Sequence, residues 1–480
     1  MGVEVVPHAT LKERKMRGKE ARRQAPHSAH KGWKPADSRP DPVGLLEAQD
    51  AAREPDLVPV RHGRMLVSPF TFYRGAAAIM AADLSNTPVA GLEVQLCGDA
   101  HLSNFGGFAS PERRLLFDVN DFDETLPGPF EWDLKRLAAS FTIAAHNNGF
   151  SDEDARAVTV TSVSSYRESM ASFAEMGTMD LWYTQLSEED LQRGIRKAAK
   201  QVAKSGGASA KDVKKMQKRA LKAQDKARTR DSLQALSKLG EVVDSRYRII
   251  SQPPVVVPAR ELEKIYGIPG DTIQEAVHHQ FRAYRSTLQP DRRQLLERFE
   301  VVDMARKVVG VGSVGTRAFI ALLQGRDGGD PLFLQVKEAT SSVLEAYLPK
   351  SRYRQPGERV VHGQRLMQAA SDIFLGWTKG EQAGRYFYWR QLRDMKGSAD
   401  VELMPPPAMR FYARTCGWTL ARAHARSGDP VAISAYLGAD DGFDRAITDF
   451  SERYARQNQR DYEAFQDAVG SGRLEAIEGV

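Results

Sequence analysis

The chain has 480 residues, of which 41% are hydrophobic and 27% charged, the balance of an ordinary globular protein with room for more than one lobe. No apolar run is long enough to span a bilayer and no signal-peptide pattern stands at the start, so we expect a cytoplasmic protein without membrane contact. Two cysteines exclude a disulfide framework and a four-thiolate zinc site, while the net charge of +6 suits an anionic partner without identifying one.

The N-terminal part of the chain is polar and then becomes helical by pattern. Residues 1–44 carry the basic run LKERKMRGKEARRQ, which predicts a flexible tail. Residues 45–52 predict a short helix, and the helically spaced apolar side chains of 68–84 predict a packed segment. Within that segment, Arg74 is a candidate for a phosphate contact.

Two short acidic blocks, GDAHLSN and FDVNDFDE, each follow an apolar strand between residues 91 and 125. Carboxylates this close repel one another unless a cation, a proton or several donors neutralise them. Mg²⁺ suits such oxygen ligands, because it usually binds one or two carboxylates and completes its shell with water and phosphate oxygens. We therefore predict a magnesium site here; the alternative is a solvated polar loop. The polar side chains of the two blocks are Asp99, His101, Asn104, Asp118, Asp121, Asp123 and Glu124.

The segment between the acidic blocks and residue 300 reads as mostly helical. A helix with a broad apolar face is predicted from 133 to about 146. The strongly basic stretch 193–230 predicts a helical hairpin. It lacks interleaved aromatics and a groove-fitting motif, so a charged surface hairpin is favoured over the alternative, a nucleic-acid contact. Residues 253–258 predict a linker or an edge strand.

From 301 to 395 the composition becomes strand-rich and contains a glycine loop. Gly310, Gly312 and Gly315 fit G-x-G-x-x-G around Ser313. A dinucleotide-binding turn is the alternative, but that turn leads into a helix, whereas the apolar, branched stretch 317–325 is typical of a strand. Strand, glycine loop, strand and then a strand bearing lysine is the arrangement of a kinase ATP flap.

Lys337 lies on the third of these predicted strands. Glycines let backbone amides approach phosphates, and the Lys337 ammonium would contact the α- and β-phosphate oxygens. The alternative is a surface lysine on an edge strand, but the apolar neighbours at 332–336 argue that its base is buried. A kinase lysine is usually oriented by a glutamate on the next helix, and Glu345 is preferred over Glu358 for that position.

Two more strands are predicted over 372–378 and 385–392, and the second would end in a hinge beside adenine at Gln391 and Leu392. Amphipathic helices are predicted over 409–429 and 441–465.

Four motifs now resemble those of aminoglycoside phosphotransferases and related small-molecule kinases. GDAHLSN resembles their catalytic loop G-D-x-H-x-x-N, and VNDFDE resembles their metal-binding strand end. GPFEWDLKRLA resembles the helix that follows, and LARAHA resembles the helix end that normally precedes the catalytic loop. Over about residues 45–465 the chain as a whole resembles a bacterial family catalogued as domain of unknown function 2252, whose name implies no activity.

The resemblance implies an α+β, two-lobed protein-kinase-like fold. The larger, mostly helical lobe would span 45–300, the small antiparallel-sheet ATP lobe 301–395, and helices over 396–480 would return to the helical lobe. The catalytic loop precedes the glycine loop, the reverse of the usual order, which implies a circular permutation. Residues near 97 and near 425 would then meet in space. Cys97 stands where these kinases often carry histidine.

The same resemblance implies an ATP- and Mg²⁺-dependent phosphotransferase with an unidentified hydroxyl acceptor, a small molecule by default. Asp99 would accept the proton of the acceptor hydroxyl or orient that hydroxyl. Asn104 and Asp121 would hold Mg²⁺, and Asp123 would hold a second ion or water. Asp133 would brace the catalytic loop, and His101 would support it. The full predicted site is catalytic Asp99, Asn104 and Lys337; nucleotide-binding Gly310, Gly312, Ser313, Gly315, Lys337, Glu345, Gln391 and Leu392; and metal-binding Asn104, Asp121 and Asp123.

Two other functions stay open at this point. One is a metal-dependent phosphohydrolase built on Asp99, His101, Asp121 and Asp123, which would have no use for Lys337. The other is a pseudokinase that binds nucleotide without turnover.

Overall fold

The computed structural model describes residues 8–204, 218, 229, 232–243, 246–267, 270–308, 310–381, 384–392 and 395–480. The fold is α+β with antiparallel sheets. The described helices are α1 (Leu11–Gln24), α2 (Pro42–Asp50), α3 (Val58–Leu66), α4 (Pro69–Gly75), α5 (Ala77–Leu84), α6 (Phe130–Asn147), α7 (Asp152–Ala174), α8 (Thr178–Tyr183), α9 (Glu188–Lys204), α10 (Ser232–Leu239), α11 (Glu263–Tyr266), α12 (Gly270–Arg285), α13 (Pro290–Leu296), α14 (Pro356–Met367), α15 (Pro406–Ser427), α16 (Pro430–Leu437) and α17 (Gly442–Gly470).

The described strands form one large sheet and three small ones. They are β1 (Glu93–Leu96), β2 (Phe105–Ala109), β3 (Leu115–Val119), β4 (Leu126–Pro129), β5 (Gly240–Val243), β6 (Arg246–Ile249), β7 (Val256–Pro258), β8 (Glu300–Lys307), β9 (Ala318–Gln324), β10 (Pro331–Glu338), β11 (Gly376–Lys379), β12 (Tyr386–Gln391) and β13 (Gly397–Ser398). The large sheet is antiparallel in the order β11-β12-β10-β9-β8-β7. The small sheets pair β1 with β4, β13 with β2 and β3, and β5 with β6.

The predicted strand, glycine loop, strand and lysine-bearing strand are confirmed as β8, the loop from 310, β9 and β10. Successive residues of β10 face opposite sides of the sheet, as a strand requires. Leu334 packs into one apolar cluster and Phe333 into another on the other face. Lys337 is therefore on the same face as Phe333, and its register partner on β12 is Tyr388.

The amphipathic helices predicted around 133–146, 409–429 and 441–465 are confirmed as α6, α15 and α17. Helix α6 is buried along nearly its whole length, because α7, α15, α17 and β1 pack around it. The segments near 97 and 425 meet as predicted: the Gln95 N–H donates to Ser427 Oγ at 3.1 Å. Chain segments more than three hundred residues apart thus adjoin at the start of the first acidic block.

The N-terminal segment differs from the flexible tail that the sequence predicts for 1–44. Its described part contains helix α1, which packs on α16 with Gly18 and Ala21 buried. Arg14 forms an ion pair with Asp429 at 2.6 Å. The basic residues that suggested a tail point outward or pair with α16 and its N-cap, and small residues let the two helices approach closely.

The large sheet also begins earlier than the boundary predicted at residue 300. Residues 253–258 contain the predicted edge strand, confirmed as β7, which pairs with β8. Helix α12 packs on the same sheet through Tyr284, whose ring stacks on Trp389 with centroids 4.6 Å apart.

The basic hairpin predicted over 193–230 lies mostly outside the described residues. The continuous described stretch that enters it from the N-terminal side ends with α9 at Lys204. Over the part of the chain that the structure describes, no helix combines the length and the apolar character needed to cross a membrane.

Candidate functional site

A cavity of about 470 Å³ lies where the glycine loop, the two acidic blocks and the N-terminal helices meet. Each of these segments contributes polar side chains or glycines to its wall. Among them are Arg53, Arg74, Asp99, His101, Asn104, Asp121, Asp123, Glu124, Gly310, Gly312 and Ser313. The structure therefore gathers into one cavity segments that are about two hundred residues apart in the chain.

Lys337 contacts two of the residues that line the cavity, Asp121 and Asp123, and only 3% of its side chain is exposed. Its Nζ is 2.5 Å from Asp123 Oδ2 and 3.6 Å from Asp121 Oδ1. Burial opposes the charge of the amine, but the two carboxylates outweigh burial and raise the pKa of Lys337. The residue is a buried ammonium held by two acids, which excludes the alternative of a surface lysine.

Asp123 is bound by three donors. Besides the ammonium of Lys337, the Tyr388 hydroxyl donates to Oδ1 at 2.6 Å and the Ser313 hydroxyl donates to Oδ2 at 3.2 Å. Burial alone would raise the pKa of Asp123, but Lys337 and Tyr388 together lower it. Both oxygens of this carboxylate are therefore engaged, and one of the donors belongs to the glycine loop.

Asp121 has the opposite environment. Its Oδ1 is buried and has no hydrogen-bond partner among the described residues. Burial, followed by the nearby charge of Asp123, raises the pKa of Asp121. Lys337 Nζ, at 3.6 Å, is too far from this oxygen for a hydrogen bond, and a bound cation would compensate the cost of leaving it without one.

Asn104 offers a second oxygen in the same cavity. Its Nδ2 donates to the Asp99 carbonyl at 2.7 Å, so the amide oxygen is the atom left for a ligand. One carboxylate and one amide oxygen are donors that Mg²⁺ accepts when phosphate oxygens and water complete its shell. In the described part of the chain, no group of three or more His, Cys, Asp or Glu residues is arranged to hold a metal.

Asp99 is paired with an arginine that the sequence reasoning missed. Arg136 donates through Nε to Asp99 Oδ1 at 2.8 Å and through Nη2 to the Tyr73 carbonyl at 2.8 Å, and Nη2 also lies 2.8 Å from Asp99 Oδ1 in the ion pair. Its guanidinium lies 3.8 Å from the centre of the Tyr73 ring. Arg136 follows Asp133 by three residues on α6, a spacing that places both side chains on one face and was the signal available. Because Oδ1 is engaged, Oδ2 is the oxygen that remains for an incoming hydroxyl.

His101 stands beside this pair, with Nε2 3.7 Å from Asp99 Oδ2. Burial, and then the charges of Arg74 and Arg136, hold the pKa of His101 well below its usual value. The imidazole is therefore neutral, which suits the supporting position predicted for it.

The backbone at the start of the first acidic block is held by Asp133, as predicted. Its carboxylate accepts the N–H groups of Cys97 at 2.7 Å and Gly98 at 3.0 Å. Gly98 has φ +84° and lies so close to the second block that a Cβ there would be 2.2 Å from the Glu124 carbonyl oxygen. Only glycine fits this crossing of the two acidic blocks.

The glycine loop is held by arginines from the N-terminal helices, another feature that sequence reasoning missed. Arg64 donates to the Gly310 carbonyl at 2.5 Å, and Arg53 donates to the Val314 carbonyl. Burial, and then repulsion from Arg61, lowers the pKa of Arg53 to about 9.

With the site assembled, comparison with known proteins identifies the family. A family model described as an uncharacterized protein conserved in bacteria, DUF2252, matches residues 53–468. The chain belongs to the DUF2252 family. No curated protein matches it, and no solved structure does. The DUF2252 match begins at Arg53 and includes both acidic blocks, the glycine loop and Lys337.

In this DUF2252 chain, Glu345 does not occupy the position predicted for it. The described carboxylates that contact Lys337 are Asp121 and Asp123. Glu345 instead accepts the Ser342 N–H at 3.1 Å, in the capping box of a short 3-10 helix, and lies 3.9 Å from Arg359. The other candidate, Glu358, lies 3.8 Å from His362 on its own helix.

The predicted hinge residues, Gln391 and Leu392, are not part of the cavity wall. The Gln391 backbone and side chain both donate to Asp372, and the Leu392 N–H donates to the Phe333 carbonyl at 2.9 Å. Instead, the DUF2252 structure adds Arg359 of α14 as a support of the second acidic block. Arg359 donates to the Asp123 carbonyl at 2.8 Å and to the Thr125 carbonyl at 2.5 Å.

Proposed function

We propose that this DUF2252 protein is an ATP- and Mg²⁺-dependent phosphotransferase that acts on a hydroxyl-bearing acceptor, a small molecule by default. One observation carries the proposal: the buried Lys337 ammonium contacts Asp121 and Asp123, and these two carboxylates line the cavity together with the glycine loop, Asp99 and Asn104. Phosphoryl transfer needs mainly an aligned nucleophile and neutralised phosphate charge, and these groups supply both.

The finer fold assignment belongs to the same proposal. The large sheet would correspond to the ATP lobe and the helical part to the acceptor lobe of a circularly permuted kinase-like fold. The contact between Gln95 and Ser427 supports this, since it joins the segment before the catalytic loop to the helix end that would ordinarily precede it.

Each residue has a role that follows from its surroundings. The free amides and missing Cβ atoms of Gly310 and Gly312 would receive phosphate oxygens, and Lys337 would share its charge between them and Asp123. Asp121 and Asn104 would hold Mg²⁺, which when bound neutralises charge on the phosphates. Asp99 Oδ2 would orient the acceptor hydroxyl while Arg136 fixes the carboxylate.

We assign Asp123 a role other than the one suggested by the sequence, which was to hold a second ion or water. Because Lys337, Tyr388 and Ser313 already occupy its two oxygens, it would have to release a donor before it could bind an ion. Ser313 is the donor that nucleotide would displace, since it lies on the glycine loop. Asp123 would then keep Lys337 in place throughout.

The test is thermal stabilisation of the full chain by ATP with Mg²⁺. A ligand at 100 times its dissociation constant should add about 2.7 kcal/mol of stability. Asp121→Ala should abolish the stabilisation, Lys337→Ala should weaken it, and removal of Mg²⁺ with a chelator should mimic Asp121→Ala. Exposed Asp37 offers a matched control, and Asp37→Ala should respond like the wild type.

An absence of stabilisation in the wild-type protein would contradict the proposal. Stabilisation without ATP consumption, across a panel of hydroxylated acceptors, would instead indicate a nucleotide-binding module. ATP consumption that survives Lys337→Ala undiminished would favour a metal-dependent hydrolase, which has no need of that ammonium.

A further inference from the structure

The charged side chains around the cavity are mostly paired with one another. Asp99 pairs with Arg136, Asp123 with Lys337, and Glu338 with Arg385 at 2.7 Å. After these pairs are set aside, Asp121 Oδ1 and Arg74 Nε are buried atoms of charged lining residues that make no hydrogen bond among the described residues; Asp121 Oδ1 still lies 3.6 Å from Lys337 Nζ. The first is the atom assigned above to Mg²⁺, and the second has no assignment in that mechanism.

Arg74 lies at the end of α4, directly against the catalytic loop and the glycine loop. Its Nε is buried without a partner, and its strongest electrostatic neighbours are Asp99 and then Glu402. Its own carbonyl oxygen is so near the loop that a Cβ on Gly312 would be 3.1 Å from it. The backbone of Arg74 therefore adjoins the glycine loop, and its guanidinium lies within the electrostatic reach of Asp99, the residue that would orient the acceptor.

A partly buried arginine that contacts no acid in the described structure lacks compensation for its lost hydration. Its planar fork of N–H groups matches the geometry of a phosphate or similar oxyanion better than any other common ligand. Lys337 does not serve this position, because its ammonium is already held by two carboxylates on the sheet side of the cavity. The two cations thus mark separate places for negative charge.

We propose that Arg74 forms an oxyanion subsite beside Asp99 that binds a phosphate group, distinct from the phosphate contacts of Lys337. The identity of that phosphate rests on the proposed phosphotransfer: it is either the γ-phosphate of ATP at the moment of transfer or a phosphate that the acceptor already carries. Both sources present the same phosphate oxygens to the guanidinium. Competition with an ATP analogue and with ADP distinguishes them.

The experiment measures binding of inorganic phosphate to the full chain by calorimetry, without nucleotide or Mg²⁺. Arg74→Gln should weaken phosphate binding by about tenfold or more, the effect expected for losing charge-assisted hydrogen bonds. Arg74→Lys should retain part of it. Arg326→Gln, an exposed arginine on the turn between β9 and β10, is the matched control and should bind like the wild type.

Two nucleotide arms identify the source of the phosphate. If a non-hydrolysable ATP analogue with Mg²⁺ displaces inorganic phosphate and ADP with Mg²⁺ does not, the subsite holds the γ-phosphate. If neither displaces it, the subsite belongs to a phosphorylated acceptor. Circular dichroism and the unfolding midpoint show that each variant is folded before binding is compared.

No phosphate binding in the wild type, or equal binding in folded Arg74→Gln, overturns the inference. That failure is distinct from failure of the proposed function, because stabilisation by ATP with Mg²⁺ is tested separately through Asp121 and Lys337.

Discussion

Asp133 shows how one buried side chain determines the shape of a loop that carries functional groups. Its two oxygens accept the N–H groups of Cys97 and Gly98, and its Oδ2 also lies 3.2 Å from His424 Nε2. The carboxylate thereby joins α6, the start of the first acidic block and α15. Without it, the backbone that presents Asp99 to the cavity would have two buried donors and no acceptor.

Asp133→Ala should therefore lower the free energy of unfolding by about 2–4 kcal/mol, since each buried unsatisfied N–H costs about 1–3 kcal/mol and partial relaxation recovers some of it. Urea denaturation followed by circular dichroism measures the change. Asp37→Ala, at an exposed position, should leave the midpoint unaltered. Equal midpoints for the two variants would show that the loop does not depend on this carboxylate.

Among single residues, the sequence predicted those that belong to a short motif. Asp99, Asn104 and Asp121 were predicted from the two acidic blocks, and all three line the cavity. Lys337, predicted from the strand-rich segment, contacts Asp121 at 3.6 Å. Arg359 was missed because an isolated arginine has no local signature, and the local signal for Arg136 was its spacing of three residues from Asp133. Arg359 donates a hydrogen bond to the Asp123 carbonyl, which is 236 residues away in the chain, so the two residues come together only through the fold.

Helix α1 illustrates the same limit for whole elements. Its sequence is dominated by charge, so no apolar stripe indicates a packed face. The packing depends instead on small residues: a Cβ on Gly18 would be 2.0 Å from the Ala432 carbonyl oxygen of α16. By contrast, β9 and β10 pack into an apolar cluster on each face, and their apolar, branched composition is why the strands around the glycine loop could be predicted.

Gly18→Ala should force α1 away from α16 and reduce stability by about 1–3 kcal/mol, the usual cost of overpacking a close contact. Gly32→Ala is a control in the same N-terminal segment, because a Cβ there meets nothing within 4 Å. Thermal unfolding of both variants makes the comparison. If Gly18→Ala is as stable as Gly32→Ala, the helix is not part of the cooperative unit.

For the whole molecule, the N-terminal segment and the last helices form one packed body with the site between them and the sheet. His30 of that segment is buried, its Nε2 lies 2.7 Å from the Tyr436 hydroxyl of α16, and its ring packs edge-on against Phe443 of α17. The domain boundaries predicted from composition missed this, because contacts between the two ends of a chain leave no local pattern. The meeting of segments near 97 and 425 was predicted only because two motifs implied their order.

This packing makes stability depend on pH through His30. Burial, and then the charges of Lys135 and His27, lower the pKa of His30 from 6.5 to about 2. Below pH 6.5 the unfolded chain therefore binds a proton at this residue that the folded chain excludes, so the stabilisation is complete above 6.5 and is lost as the pH falls toward 2. The loss is about 1.4 kcal/mol for each pH unit in that window.

His30→Phe, which keeps a ring between Tyr436 and Phe443, should remove this slope. Urea denaturation at pH 7.5, 6.0 and 5.0 should then show the wild type losing stability faster than His30→Phe, while His8→Phe at an exposed position follows the wild type. Parallel pH profiles for wild type and His30→Phe would mean that the imidazole is protonated within the fold, and that the N-terminal segment does not exclude water from it.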